Sequence, residues 1–174
     1  MQREERSKTS DEQTGKVFPL GTVMFYHLMQ SAPADTLGIN APRALQLGLR
    51  VMVRGTDPTT LARLDAALWL KGGDEGFLPH GLEGGPHDAD QPILLGTGDP
   101  VNGAKVLALV DGAGAPDSEV SVMERVWVLF DGNDPARLQS ARQQWKAMTA
   151  AGHAAQYWSE ESGRWEKKAE SPAR

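Results

Sequence analysis

The sequence predicts a single-domain α/β fold, with a largely parallel sheet, helices on both of its faces and a hairpin on its C-terminal edge. Three observations carry this expectation. Short apolar runs alternate with helix-patterned segments along the chain, as in sheets whose parallel strands are joined by crossover helices. The 174 residues are 40% apolar and 24% charged, a length and composition that suit one domain with a sizeable core. The stretch Leu129–Lys168 reads as strand, capped helix, strand, tight turn and strand.

The elements follow in order. Residues 1–16 hold four charges of each sign and almost nothing apolar. Such a segment does not offset the entropy of ordering, so residues 1–20 are expected to form a disordered extension, 21–169 the domain and 170–174 a flexible tail. Thr22–Leu28 is β-branched and aromatic, a buried strand. A short helix is expected over roughly Thr36–Leu47, ended by Gly48, and Pro42 would break it unless the helix starts or kinks there. "LRVMVRG" is a second strand. In the next helix Asp57 is the N-cap, Pro58 lies in the first turn, and Leu61, Leu64 and Leu68 fall at core spacing. Residues 71–90 are Gly-rich and read as mostly loop, long enough to point to a role in function. "QPILL", "KVLALV" and "RVWVLF" are further strands. Asp134 and Pro135 open the last long helix, Gly152 closes it, and "AAQYW" and "RWEKK" flank the turn "SEESG".

Charge is uneven. The chain carries a net −5, yet from Arg137 to Arg174 there are seven basic and four acidic residues, a net of +3, which leaves −8 for the rest. The acidic bulk argues against general nucleic-acid binding, which needs cations to displace counterions. The basic end, with four of the five tryptophans in or just before Leu129–Lys168 (Trp127, Trp145, Trp158, Trp165), permits a smaller anionic partner. The absence of cysteine excludes disulfides, thiolate metal sites and a thiol nucleophile, and suits a cytoplasmic location. No apolar run is long enough for a membrane helix.

Motifs of catalysis are weak. "GDPVNGAK", Gly98–Lys105, has its glycines at phosphate-loop spacing, but Ala104 stands where lysine belongs, Val106 replaces the magnesium-binding hydroxyl, and Pro100 removes a backbone donor. A simple turn is expected. His80, His87, Asp88 and Asp90 form the one metal-like cluster, on a loop expected to be solvated rather than to hold ligands rigidly. No cofactor, metal or catalytic residue is therefore assigned. The rival readings are a metal-dependent enzyme using the Gly-rich loop with His80 as base or ligand, and a direct single-stranded DNA binder that stacks tryptophans on bases.

Two surfaces remain. Trp69, Phe77 and Leu78 are expected to fold into the core, the other reading being an exposed patch that docks a partner. On the last helix Leu138, Ala141, Trp145 and Met148 make one apolar face, and Arg142 and Lys146 lie four apart beside Trp145. Trp145 can be a core residue of an amphipathic helix, or the floor of a pocket in which Arg and Lys take a carboxylate.

"MFYHL", "RLDAALW" running into "FLPHGL", "QPILL", and "LFDGNDPARLQSARQQWKAMTAAGH" ending in "YW" and "GRWEKK" resemble the chi subunit of bacterial DNA polymerase III holoenzyme over about Val23–Lys168. The resemblance implies a sheet like that of mononucleotide-binding domains without a working nucleotide site. It implies a non-catalytic accessory role at the clamp loader. It also implies binding of the acidic, Phe-containing C-terminal tail of single-stranded-DNA-binding protein, and of psi where psi exists, with DNA engaged only indirectly. By position it assigns the tail site to Arg142, Trp145 (where the family often has Tyr) and Lys146, and the psi-type surface to Trp69, Phe77, Leu78 and Pro79.

Overall fold

The computed structural model describes residues 18–71 and 77–174. Among these residues eight strands and four α-helices follow in order: β1 (Val23–Leu28), α1 (Pro33–Gln46), β2 (Val51–Arg54), α2 (Pro58–Trp69), β3 (Gly81–Leu82), a 3-10 turn (Asp88–Asp90), β4 (Ile93–Gly96), β5 (Val106–Leu109), α3 (Asp117–Val120), β6 (Arg125–Asp131), α4 (Pro135–Ala150), β7 (Ala155–Ser159) and β8 (Glu166–Ser171). They form one sheet in the order β3-β4-β2-β5-β6-β1-β7-β8. Every pairing is parallel except that of β7 with β8, the expected edge hairpin.

Two cores follow from this layering. Ala34, Leu37 and Ala41 of α1 and Leu61, Leu64 and Leu68 of α2 pack on one face, against Val51, Val53, Ile93, Leu95 and Leu129. Ala141 and Met148 of α4, with Val120 of α3, cover the other, against Phe25, Met52, Leu94, Leu107 and Phe130. The central strands β2, β4 and β5 are buried at every position, which is why they read as continuous apolar runs rather than as alternating ones.

Several expectations need correction. The first helix begins at Pro33 and runs unbroken through Pro42. Burial of Leu37, Ala41 and Ala44 against the sheet outweighs the hydrogen bond that Pro42 cannot give to the Gly38 carbonyl. Within the Gly-rich stretch, expected to be mostly loop, Gly81 and Leu82 form a two-residue strand that pairs with Leu94 and Leu95. A short helix, α3, lies between β5 and β6. Residues 98–105 make the expected turn and lead into a strand, not into the helix that a phosphate loop requires. The expected disordered extension falls, up to residue 17, outside the described residues. Phe18 lies under the Arg125 guanidinium at 4.7 Å. At the other end, the stretch expected as a tail continues β8 to Ser171, and the Arg174 N–H donates to the Gly152 carbonyl at 3.0 Å.

One tie locks β7 to the start of α1. Glu160 is 6% exposed. Its Oε1 accepts from the backbone N–H groups of Met29, Gln30 and Ser31 at 2.8, 2.6 and 2.5 Å, and its Oε2 accepts from the Ser31 hydroxyl at 2.7 Å. Burial pushes the carboxyl up, but the bonds from Ser31, Gln30 and Met29 together outweigh it and hold it below its ordinary 4.5. A folded pKa below the unfolded one means stability that is complete above about pH 4.5 and lost as pH falls through the lower, folded value. In urea unfolding, wild type should therefore lose more stability between pH 7 and pH 3 than Glu160→Gln, whose amide does not titrate. An equal loss in both would refute this.

Candidate partner-binding sites

Helix α4 is positioned by its own N-cap: Asp134 Oδ1 accepts from the N–H groups of Ala136 and Arg137 at 2.9 and 3.4 Å. Its inner face, Ala141 and Met148, is buried. Trp145 sits at the border. It is half-buried against that core, edge-on to Phe25 at 5.3 Å and to Tyr157 at 6.0 Å. One part of the ring thus belongs to the core and the rest is left to solvent.

The cations beside it differ. Arg137 is paired with Asp111 at 2.6 Å. Arg142 and Lys146 are exposed and form no ion pair or side-chain hydrogen bond among the described residues. Sequence reasoning missed Tyr157. Burial pushes its hydroxyl above the ordinary value of 10, the Arg142 guanidinium works against that rise, and Glu161 adds to it. Arg142 therefore acts at Tyr157 as well as beside Trp145. The signal was the alternation of β7, which places Ala155 and Tyr157 on the face that α4 covers. The structure brings Arg142, Trp145, Lys146 and Tyr157 to one patch with two rings and two free cations. Such a patch suits an apolar side chain followed by a carboxylate.

The second surface lies beyond α2. Trp69 is 52% and Phe77 72% exposed, and only Leu78, at 7%, enters the core. The expectation that all three fold inward is corrected for the two aromatics. The inner face of α2 is already filled by Leu61, Leu64 and Leu68. Trp69 follows Leu68 by one residue, a turn of about 100° away from that face. Its ring lies 5.5 Å from Phe77 and 4.5 Å from His80. A hollow of about 320 Å³ opens beside them between Gly38 and Pro42 of α1 and the segment Phe77–Pro79, with Lys71 on its rim.

His80 is a support for this surface. It is buried, with Nδ1 2.6 Å from the Leu78 carbonyl and Nε2 3.1 Å from the Asp65 carbonyl. This corrects the solvated-loop expectation for His80, whose two nitrogens are engaged in holding Leu78 to α2. Asp88 is likewise engaged, accepting from the N–H groups of Gly84 and Gly85. Among the described residues no group of three or more His, Cys, Asp or Glu is placed to share a metal ion.

A family model described as "DNA polymerase III chi subunit, HolC" matches residues 20–156. The chain belongs to the DNA polymerase III chi subunit family. The match spans both candidate surfaces and stops one residue short of Tyr157. Comparison with curated protein sequences returns no match. Membership in the chi family gives the chain an accessory role in DNA polymerase III and so in DNA replication. Among the described residues no helix is long and apolar enough to cross a membrane.

The geometry of the second surface predicts unequal costs for neighbouring truncations. Phe77→Ala should leave the unfolding free energy measured in urea within about 0.5 kcal/mol of wild type, as for exposed positions in general. Leu78→Ala should cost about 2–5 kcal/mol, as for a buried leucine. Equal costs would mean that the two side chains do not divide between surface and core.

Proposed function

We propose that this chi-family protein tethers the polymerase assembly to single-stranded-DNA-binding protein by holding that protein's acidic C-terminal tail on α4. One observation carries the reading: Arg142 and Lys146, without a partner among the described residues, stand together along one edge of the half-buried Trp145, with Tyr157 beside it. The tail carboxylates pair with the two cations, and the tail's aromatic residue packs against the exposed edge of Trp145. Charge-assisted hydrogen bonds contribute about 1.5–3 kcal/mol each when partly shielded. A few of them with one ring contact correspond to micromolar binding, roughly −8 kcal/mol, an affinity suited to a contact made and broken as replication advances.

The exposed pair Trp69 and Phe77, with Pro79 and the hollow that Leu78 floors, is the surface we assign to psi or another clamp-loader component. Rigid aromatic anchors beside a concave floor are the usual makings of a protein-docking hot spot.

Calorimetry with an acidic, Phe-containing tail peptide tests the first surface. Arg142→Ala should weaken binding about tenfold, and Lys146→Glu should weaken it further, with unchanged circular dichroism in both. Affinity should also fall as salt is raised, because the pairs are exposed. Unchanged affinity in both variants would overturn the tail reading. Phe77→Ala should keep the tail affinity while losing clamp-loader subunits from a pull-down out of native cells.

A further inference from the structure

The sheet has a switch point between β1 and β6. These neighbours are paired in parallel, yet β1 continues into α1 on one face and β6 into α4 on the other. In open α/β sheets the crevice at such a point, beyond the carboxyl ends of the strands, is where ligands bind. The crevice here is formed by residues 29–32 and 132–134. Gly132 N–H donates to the Leu28 carbonyl at 2.7 Å, and the Asn133 side-chain amide donates to the Met29 carbonyl at 3.0 Å.

On one wall, the successive N–H groups of Met29, Gln30 and Ser31 converge with the Ser31 hydroxyl, and all four donate to the Glu160 carboxylate. Successive backbone donors of this kind make an anion-binding concavity. It stands just before the N-terminus of the 14-residue helix α1. On the floor, His27 is 7% exposed and its Nε2 has no hydrogen-bond partner among the described residues. That nitrogen points at Gly132, where an added Cβ would collide with it and with the Met29 sulfur.

We propose that this crevice is an oxyanion site of the carboxylate class whose resident ligand is the chain's own Glu160. Three features support it. Glu160 is delivered from β7, about 130 residues from its donors, so no local turn explains the contact. The carboxylate uses both oxygens, as a bound anion would. Its charge is retained in spite of burial, the work of the donors around it. The same bonds fix the end of β7, three residues beyond Tyr157, and so hold that strand in register beside β1.

Removing the internal ligand should leave a site that small carboxylates fill. Thermal unfolding of the full chain would be followed for wild type, Glu160→Ala and Glu160→Gln, in sodium formate and in sodium chloride at matched ionic strength. Glu160→Ala should melt about 5 °C or more below wild type in chloride and regain much of that loss in formate, saturably. Wild type, with the site occupied, and Glu160→Gln, with the space filled by an amide, should respond alike to the two salts. If formate raises all three proteins equally, or fails to raise Glu160→Ala, the proposal is overturned. Should Glu160→Ala fail to fold in chloride, recovery of folded protein from refolding in formate supports the site, and failure in both salts overturns it.

Discussion

Where parallel strands end, backbone N–H groups lose their sheet partners, and a chain that buries those ends must bring acceptors from elsewhere. This constraint organises the carboxyl edge of the sheet. Glu160 serves the segment after β1. Glu83 serves the segment after β4, accepting from Thr97 N–H at 2.7 Å and from its hydroxyl at 3.1 Å. The complementary need, donors for loose carbonyls, is met by Arg54 at the end of β2, which donates to the Gly98 and Gly114 carbonyls while Glu119 neutralises it at 2.6 Å. Each of these side chains joins loops that are far apart in sequence. The edge that carries ligands in related architectures is therefore closed by the protein's own charged groups, and the surfaces left free are helical ones on the two faces of the sheet.

How much of this the sequence disclosed depended on where the partners lie. Strands β2, β4 and β5 were legible because burial on both faces leaves an uninterrupted apolar run, and α2 and α4 because Asp57 and Asp134 announce their starts. The start of α1 was not legible. Its N-cap is Ala32, which has no capping side chain; Asp35 instead reaches back to accept from the N–H of Ala32 itself at 2.8 Å. The two-residue β3 has no periodicity to read and exists through its pairing with β4. The Glu160 tie is invisible to any local pattern, because its donors lie about 130 residues away.

The candidate sites divide in the same way. Arg142 and Lys146 could be placed side by side from helical spacing alone, and their lack of acidic partners among the described residues is a fact only the fold supplies. Trp145 resisted assignment because an amphipathic helix has borders, and a ring at the border belongs to both sides. Trp69 and Phe77 were misjudged for a related reason. A large apolar side chain favours burial on average, yet the inward stripe of α2 was already full, and His80 provided a seat on which the Trp69 ring could rest outside the core.

The placement of the two proposed partner surfaces has a thermodynamic consequence. α4 covers the face containing Phe25 and Phe130, whereas Trp69 and Phe77 belong with α2 on the other face, with the sheet between them. Partners on opposite faces would not collide, so the proposal allows both to be held at once. Coupling between two sites needs an element with two arrangements that both ligands bias, and between these two surfaces lies a sheet close-packed on both faces. The two affinities then multiply as independent terms. A tether built from independent contacts gains through effective concentration, since a polymerase assembly held at one face presents the other face repeatedly to a tail that binds weakly. A micromolar site on α4, as proposed, would then be enough to keep an assembly near its template, provided that the sheet keeps the two surfaces fixed relative to one another.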